Sequence, residues 1–306
     1  MKKSNSTYHI PVMLKQCIEG LNIQPDGIYI DVTFGGGGHA REIFKKLNPK
    51  GKLIGFDQDP DAKENLWDAP NFDFVPANFA FVANHLKLLG IGKVDGILAD
   101  LGVSSHQFDV DTRGFSIRSN AKLDMRMNQN GELTAADVVN SYSEEDLIHL
   151  LRSYGEVPKP RRLANEIISA RSSKTIKTTE ELIQIAEKCA PKHKEHKYYA
   201  QVFQAIRIEV NDELGVLKDF LSQSANILNP GGRLVVMSYH SLEDRLVKNY
   251  LKRGSFTGEI EKDFFGNVIK PFTEITRHPI VPTEEEVEVN GRARSAKLRI
   301  GERNGE

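Results

Sequence analysis

The chain has 306 residues, of which 39% are hydrophobic and 27% charged, and its net charge is −1. These values are typical of a soluble globular protein with one large or two ordinary domains. They exclude nucleic-acid binding by bulk attraction, so any such surface must come from an uneven distribution of charge.

The two cysteines, Cys17 and Cys189, are too few and too far apart in the chain for a disulfide framework or a zinc site. We expect buried or incidental thiols in a reducing cytoplasm. No apolar run follows Lys2 and Lys3, and no stretch approaches the ~20 apolar residues of a membrane span. The sequence therefore predicts a cytoplasmic protein with no membrane segment, and no metal-binding motif is visible.

Strands alternate with helices in the first third of the chain. The pattern predicts strands at 28–33, 52–57, 72–76 and 94–101, with helices at 39–47, 60–67 and 79–90 between them. This alternation is typical of an α/β fold with a mostly parallel sheet.

The alternation then stops, and from about residue 110 to 207 apolar residues recur at helical spacing. Within this stretch Pro158 and Pro160 must break or delay a helix. The simplest account is an α/β domain interrupted by an all-helical insertion. The predicted boundaries are 1–109 for the first part of the core, 110–207 for the insertion and 208–306 for the second part of the core.

The β–α pattern resumes towards the C-terminus. A long amphipathic helix is predicted to end at the sequence Asn229 to Gly232, since Pro and Gly terminate helices. A strand at 233–239 follows, then a loop over 254–290 and a final strand at 296–300.

The glycine loop, Gly35 to Gly38, is the most informative stretch of the chain. It follows the first strand, which ends in Asp31, and it leads into a helix. Asp57, 26 residues after Asp31, ends the second strand. A strand-end acid at about this distance is typical of a site that binds the ribose hydroxyls of a nucleoside cofactor.

The identity of the nucleoside stays open on these residues alone. Gly35, Gly37 and Ala40 formally match the dinucleotide fingerprint, so NAD is one candidate. Asp31 disfavours a pyrophosphate next to the loop, whereas a sulfonium cofactor with an amino-acid end would tolerate a carboxylate. S-adenosylmethionine is therefore favoured over NAD, and a glycine-rich turn that binds nothing is the third alternative.

A third acid, Asp100, ends the fourth predicted strand. Ligands of open α/β sheets bind outside the carboxyl ends of the strands, so Asp100 is expected to share a crevice with Gly37 and Asp57. A strand-end Asp that only caps a turn is the alternative.

Several motifs closely resemble the bacterial small-subunit ribosomal RNA cytosine-N4 methyltransferases. They are His9 to Val12, Asp100 to Ser105, Arg113 to Ser116, Leu123 to Met127, Phe203 to Ile208, Ser238 to Arg245 and Arg292 to Ser295. The resemblance extends from about residue 8 to about 302. It implies a class I S-adenosylmethionine-dependent methyltransferase fold with a helical insertion that faces the RNA.

The resemblance also implies a reaction and a site. The substrate would be the exocyclic N4 amine of a cytidine in the decoding region of 16S rRNA, within the small ribosomal subunit. The implied contacts to S-adenosylmethionine are Gly37, Gly38, His39, Asp57, Phe79, Asp100 and Gln107. From the residues themselves, a core role for Phe79 and a helix-capping role for His39 remain alternatives.

The group that accepts the amine proton is less clear. The cytosine amine is a poor nucleophile, because its lone pair is delocalised into the ring, so a hydrogen-bond acceptor next to it would help. Asp100 is the first candidate, and Ser104 and His240 are weaker ones. Competing functions are an NAD-dependent oxidoreductase and a non-catalytic RNA-binding protein.

Positive charge is concentrated in residues 158–207. This stretch has eleven lysines and arginines against five glutamates, a net charge of about +6. A solvated helical face is the ordinary explanation of such a charge run. Binding of RNA phosphates is the functional alternative.

Overall fold

The computed structural model describes residues 11–103 and 112–305. The chain divides into two compact units. The first comprises Met1–Gly102 and Leu214–Glu306, and the second comprises Val103–Glu213. The second unit is thus inserted in the sequence of the first.

A seven-stranded sheet forms the centre of the first unit. Its strands are β1 (Ile28–Asp31), β2 (Lys52–Phe56), β3 (Phe72–Val75), β4 (Val94–Asp100), β5 (Leu228–Ser238), β6 (Phe272–Glu274) and β7 (Lys297–Arg303). The order across the sheet is β3-β2-β1-β4-β5-β7-β6. Strands β1 to β5 are parallel, whereas β7 is antiparallel to both β5 and β6. The predicted mostly parallel sheet is confirmed.

The order in which successive strands are added across the sheet reverses between β1 and β4. From β1 the chain builds outward through β2 and β3, and it then returns to place β4 on the other side of β1. In doubly wound sheets this switch point opens a crevice at the carboxyl ends of the strands.

Both faces of the sheet are buried, which explains the near-continuous apolar strands. Successive residues point to opposite faces. Ile30 and Ile97 therefore lie in one core cluster, whereas their neighbours Tyr29 and Leu98 lie in another. The helices of this unit are α1 (Leu14–Leu21), α2 (Gly38–Phe44), α3 (Val82–Leu88), α9 (Glu213–Ile227, whose first residue belongs to the second unit), α10 (Ser241–Arg253) and α11 (Glu284–Val289).

The second unit is helical and has a core of its own. Its helices are α4 (Ala135–Ser141), α5 (Glu144–Ser153), α6 (Pro160–Ser173), α7 (Thr179–Glu187) and α8 (Glu195–Asn211). Their apolar faces meet in one cluster that includes Leu151, Leu163 and Val202, all fully buried. The described part of the chain contains no helix with the length and apolar character needed to cross a membrane.

The prediction for the proline pair is confirmed. Helix α5 ends at Ser153, and α6 begins at Pro160, in the first-turn position where the missing N–H has no helical partner to lose.

Other predicted elements differ from the structure. The segment predicted as a helix at 60–67 is a 3₁₀ helix, Pro60–Asn65. Strand β5 begins at Leu228 rather than at 233, because the Asn229–Gly232 stretch belongs to the strand as an irregularity in its pairing with β4. The region predicted as loop over 254–290 contains β6 and α11. Short elements of this kind are stabilised by tertiary contacts, which local sequence patterns do not report.

A substitution at Gly96 can measure how tightly strand β4 is packed against its neighbours. A Cβ at this position in β4 would lie 2.7 Å from two ring carbons of buried Tyr29. We therefore expect Gly96→Ala to lower the free energy of unfolding by about 1–3 kcal/mol through overpacking. The midpoint of urea unfolding, followed by fluorescence of the single tryptophan, Trp67, measures this effect.

Gly92→Ala is the matched control, since a Cβ there has no atom within 4 Å. Equal midpoints for the Gly96→Ala and Gly92→Ala variants would contradict the predicted packing constraint.

Candidate functional site

Three carboxylates lie at the carboxyl ends of neighbouring parallel strands. Asp31 is the last residue of β1, Asp100 is the last of β4, and Asp57 directly follows β2. Because β1 lies between β2 and β4, Asp31 is the middle acid: the charge of Asp57 raises the pKa of Asp31, and the charge of Asp31 raises that of Asp100. The predicted gathering of acids at this edge is confirmed, whereas their role in binding stays a prediction.

Asp31 is the most deeply buried of the three. Its Oδ1 accepts hydrogen bonds from the backbone N–H (3.1 Å) and hydroxyl (3.4 Å) of Thr33. Its Oδ2 is buried and accepts none from the described residues. Burial raises the pKa of Asp31 to about 7, and the charge of Asp57 adds to this effect, although the hydrogen bonds from Thr33 oppose it.

Asp57 connects the second strand to the glycine loop. Its Oδ2 accepts a hydrogen bond from the backbone N–H of Gly35 (2.7 Å), and its Oδ1 accepts one from that of Asp59 (2.8 Å). Burial raises the pKa of Asp57 to about 6, against the effect of these two bonds. The side chain therefore fixes the backbone of the loop.

The glycines of the loop have internal reasons to be glycine. Gly35 and Gly37 have φ angles of 47° and 72°, a region that other residues rarely adopt. A Cβ on Gly38 would lie 2.3 Å from Cγ of Pro11, and one on Gly37 would lie 3.0 Å from the ring of Phe34. Backbone turning and packing thus require these residues whether or not a ligand approaches them.

His39, the second residue of α2, is buried beneath the loop. Its Nε2 is 3.1 Å from the carbonyl oxygen of Val12, and since a carbonyl only accepts, Nε2 carries the proton. Burial lowers the pKa of His39 to about 4, so the ring is neutral near pH 7. Its Nδ1 lies 3.9 Å from Oδ2 of Asp100, which is too far for a hydrogen bond.

Asp100 is held by hydrogen bonds from two directions. The hydroxyl of Tyr239 donates to its Oδ1 (2.8 Å), and its own backbone N–H donates to Oγ1 of Thr33 (2.7 Å). Burial raises the pKa of Asp100 to about 7; the bond from Tyr239 opposes this shift, and the charges of Asp31 and Glu243 add to it.

The remaining predicted site residues are placed as follows. Phe79 is half-buried and packs edge-on against Phe220 with ring centroids 5.3 Å apart. His240 is the N-cap of α10, which agrees with the capping role considered for it. Ser104 and Gln107 lie outside the described residues.

Sequence reasoning missed Tyr239 and Thr33 as members of this cluster. Tyr239 directly follows β5, the neighbour of β4, so the rule that brought the three acids together also applies to it. Thr33 lies two residues beyond the end of β1, and its hydroxyl is within hydrogen-bonding distance of both Asp31 and the backbone of Asp100.

Comparisons with known proteins agree on one family. The model of the MraW methylase family matches residues 6–304. A protein of Parabacteroides distasonis named "Ribosomal RNA small subunit methyltransferase H" is 55% identical over 304 residues, which is 99% of this chain and 100% of that protein. Proteins of the same name from Cytophaga hutchinsonii and Flavobacterium johnsoniae are 56% and 55% identical, over 97% of this chain and 99% and 98% of theirs.

Burial of Asp31 leads to a pH-dependent stability. An Asp in the unfolded chain titrates near pH 3.9, whereas Asp31 titrates at about 7 in the folded protein. The contribution of this carboxyl to the free energy of unfolding is therefore fully present below pH ~4 and is lost as the pH rises to about 7. We expect Asp31→Asn to flatten this part of the profile, so that the variant loses less stability between pH 5 and pH 8 than the parent protein.

Urea midpoints from Trp67 fluorescence at both pH values measure the difference, with Asp68→Asn, an exposed acid, as control. The same loss of stability in the Asp31→Asn variant and the parent would show that this carboxyl is not the titrating group.

Proposed function

This chain belongs to the MraW methylase family, and we propose that it uses S-adenosylmethionine to methylate the N4 amine of a cytidine in 16S ribosomal RNA. Its fold is the Rossmann-like fold of class I methyltransferases, with an all-helical insertion. The names of the relatives, from 52% to 56% identical, support ribosomal RNA of the small subunit as the substrate. The choice of the cytidine N4 amine, in the decoding region, rests on the motifs described in the sequence.

One observation carries the cofactor assignment. Asp31, Asp57 and Asp100 converge at the switch point of the sheet, and among the described residues no lysine or arginine forms an ion pair with any of them. Oδ2 of Asp31 is buried and has no hydrogen bond of normal geometry from a described residue. A ligand with an ammonium and a sulfonium group fits such a site, whereas the pyrophosphate of NAD would be repelled.

The residues proposed to hold the cofactor follow from this placement. Asp57 would accept hydrogen bonds from the ribose hydroxyls, and the half-buried ring of Phe79 would contact the adenine. The loop residues Gly37, Gly38 and His39 would form the wall of the site, and Asp100 and Gln107 would complete the set.

The chemistry requires little beyond positioning and one proton acceptor. When bound, S-adenosylmethionine would supply a methyl group already activated by its sulfonium. Asp100, with a pKa of about 7, is suited to accept a hydrogen bond or proton from the cytidine amine near neutral pH. Holding donor and acceptor at near-attack distance provides the remaining rate enhancement.

The competing functions are not supported by the comparisons. The family is a methylase family, so neither an NAD-dependent oxidoreductase nor a non-catalytic RNA-binding protein is favoured. The test is calorimetric titration with S-adenosylmethionine and NAD, followed by transfer of labelled methyl to small subunits and mass mapping of their RNA. Label on any base atom other than a cytidine N4 would overturn the proposed specificity.

Asp57→Ala is expected to weaken S-adenosylmethionine binding by about 1.5–3 kcal/mol, the range for loss of a charged hydrogen-bond acceptor. Calorimetry on the purified variant measures the change. Glu64→Ala, an exposed acid of the neighbouring 3₁₀ helix, should bind as the parent does. Unchanged affinity of the Asp57→Ala variant would remove Asp57 from the site.

The second unit has a surface suited to RNA phosphates. Lys192, Lys194 and Lys197 are exposed around the start of α8, and no carboxylate of a described residue forms an ion pair with any of the three. Two other cations of the same unit, Lys174 and Lys188, form ion pairs with Glu181 and Glu166. The close spacing and exposure of these three lysines make them a candidate for phosphate contacts, which supply salt-dependent affinity.

Reversal of Lys192, Lys194 and Lys197 to Glu should weaken binding to the small subunit. It should also reduce the slope of log K against log salt concentration by up to about 3, roughly one per phosphate contact. Acidic side chains are favourable at a helix N-terminus by about 0.3–1 kcal/mol, so α8 should remain folded. Filter binding over a salt series measures the effect, and affinity for S-adenosylmethionine should not change.

The control reverses Lys46, Lys50 and Lys87, equally exposed residues of the first unit. Equal loss of binding in both triple variants would assign the effect to net charge alone. Unchanged binding of the first variant at every salt concentration would show that its three lysines are a solvated surface and do not contact RNA phosphates.

A further inference from the structure

Tyr239 forms a contact with Asp100 that the reaction as proposed above does not use. Its hydroxyl lies 2.8 Å from Oδ1 of Asp100. Burial, together with the charge of Asp100, raises the pKa of Tyr239 far above its usual range. The phenol is therefore protonated, and it donates the hydrogen bond.

This bond distinguishes the two oxygens of the Asp100 carboxylate. Oδ1 is occupied by Tyr239, whereas no described residue donates a hydrogen bond to Oδ2. Nδ1 of His39 lies 3.9 Å from Oδ2, and that nitrogen carries no proton because Nε2 has it. Among the described residues Oδ2 thus has no donor, so it can accept a hydrogen bond from a ligand.

The tyrosine itself is firmly held. Its backbone N–H donates to Oε2 of Glu243 (2.9 Å), a buried residue in the first turn of α10. Its ring packs against Gly102, whose φ is 93° and whose Cβ, if added, would lie 3.4 Å from ring carbon Cδ2. The hydroxyl therefore has a fixed position relative to the end of β4.

We propose that Tyr239 is a positioning residue that fixes the carboxylate of Asp100 through Oδ1, so that Oδ2 is presented as the acceptor for the amine of the substrate. The role in the reaction rests on the proposed function. The contact itself does not, so the two can be tested separately.

The titration of Asp100 provides a readout that does not depend on activity. The groups that face this carboxyl are Asp31 from β1, His39 from α2, Cys17 from α1, Glu243 from α10 and Tyr239 itself. Of these, the hydrogen bond from Tyr239 lowers the pKa of Asp100, whereas the charges of Asp31 and Glu243 raise it. Loss of the tyrosine hydroxyl must therefore move the titration of Asp100 to higher pH.

The experiment combines Tyr239→Phe, Asp100→Asn and the double variant. Carbon-13 spectra of protein labelled at the aspartate carboxyls follow the titration, and the signal that disappears in Asp100→Asn identifies Asp100. In Tyr239→Phe we expect this signal to titrate at higher pH. We also expect the single-turnover rate to fall about tenfold near neutral pH, which is the effect expected from losing one charge-assisted hydrogen bond. In the Asp100→Asn background the same change should have no further effect on the rate, because Tyr239 acts through Asp100.

Tyr250→Phe is the matched control, a buried tyrosine of α10 in the same unit, and it should alter neither readout. An unchanged Asp100 titration in Tyr239→Phe, or a further tenfold loss of rate in the double variant, would overturn the proposal. If the Tyr239→Phe variant does not fold, incorporation of fluorotyrosine, a stronger donor, must instead move the Asp100 titration to lower pH. If the parent protein methylates no RNA, the proposed function fails while the titration still decides whether Tyr239 fixes Asp100.

Discussion

The organising constraint of the first unit is the burial of three carboxylates next to one another. Parallel pairing of β2, β1 and β4 places Asp57, Asp31 and Asp100 at one edge of the sheet. Each carboxylate has a pKa raised by burial, and Asp31 is further affected by the charge of Asp57. Such an arrangement works against the stability of the unliganded fold near neutral pH, and it favours a ligand that brings positive charge.

The surrounding residues hold this arrangement in place without neutralising it. Thr33 links the ends of β1 and β4, Asp57 fixes the backbone of Gly35, and Tyr239 fixes Asp100. Backbone N–H groups and the hydroxyls of Thr33 and Tyr239 donate the hydrogen bonds that orient the three carboxyl groups. Orientation by neutral donors leaves the negative charge available to a ligand, which an ion pair with lysine or arginine would not.

The second unit has a hydrophobic core of its own and contains none of the three carboxylates. The five helices described in it share one apolar core, so its fold depends on its own packing. Lys174 and Lys188 on its surface are paired with glutamates, whereas the lysines near the start of α8 form no ion pair with a described residue. A solvated surface explains exposed lysines of this kind, and contact with RNA phosphates is the proposal that the charge-reversal experiment tests.

Much of this protein could be read from local sequence. Strands β1 to β4 are short, mostly apolar runs, and an aspartate ends β1 and β4 and follows β2. Their alternation with helices predicted a parallel sheet and its edge of acids. The proline at the start of α6 and the helical spacing of the insertion are also local features. The family motifs extended this reading to a cofactor and a set of residues.

The tertiary structure decided what depends on residues far apart in the chain. Tyr239 meets Asp100 only because β5 pairs with β4, across 139 positions of sequence. The need for glycine at Gly38 comes from Pro11 rather than from a ligand, and β6 and α11 form in a region without a clear local pattern. Local sequence determines which backbone conformations are favourable, whereas the partners of buried polar groups are set by strand order and packing, which no short segment encodes.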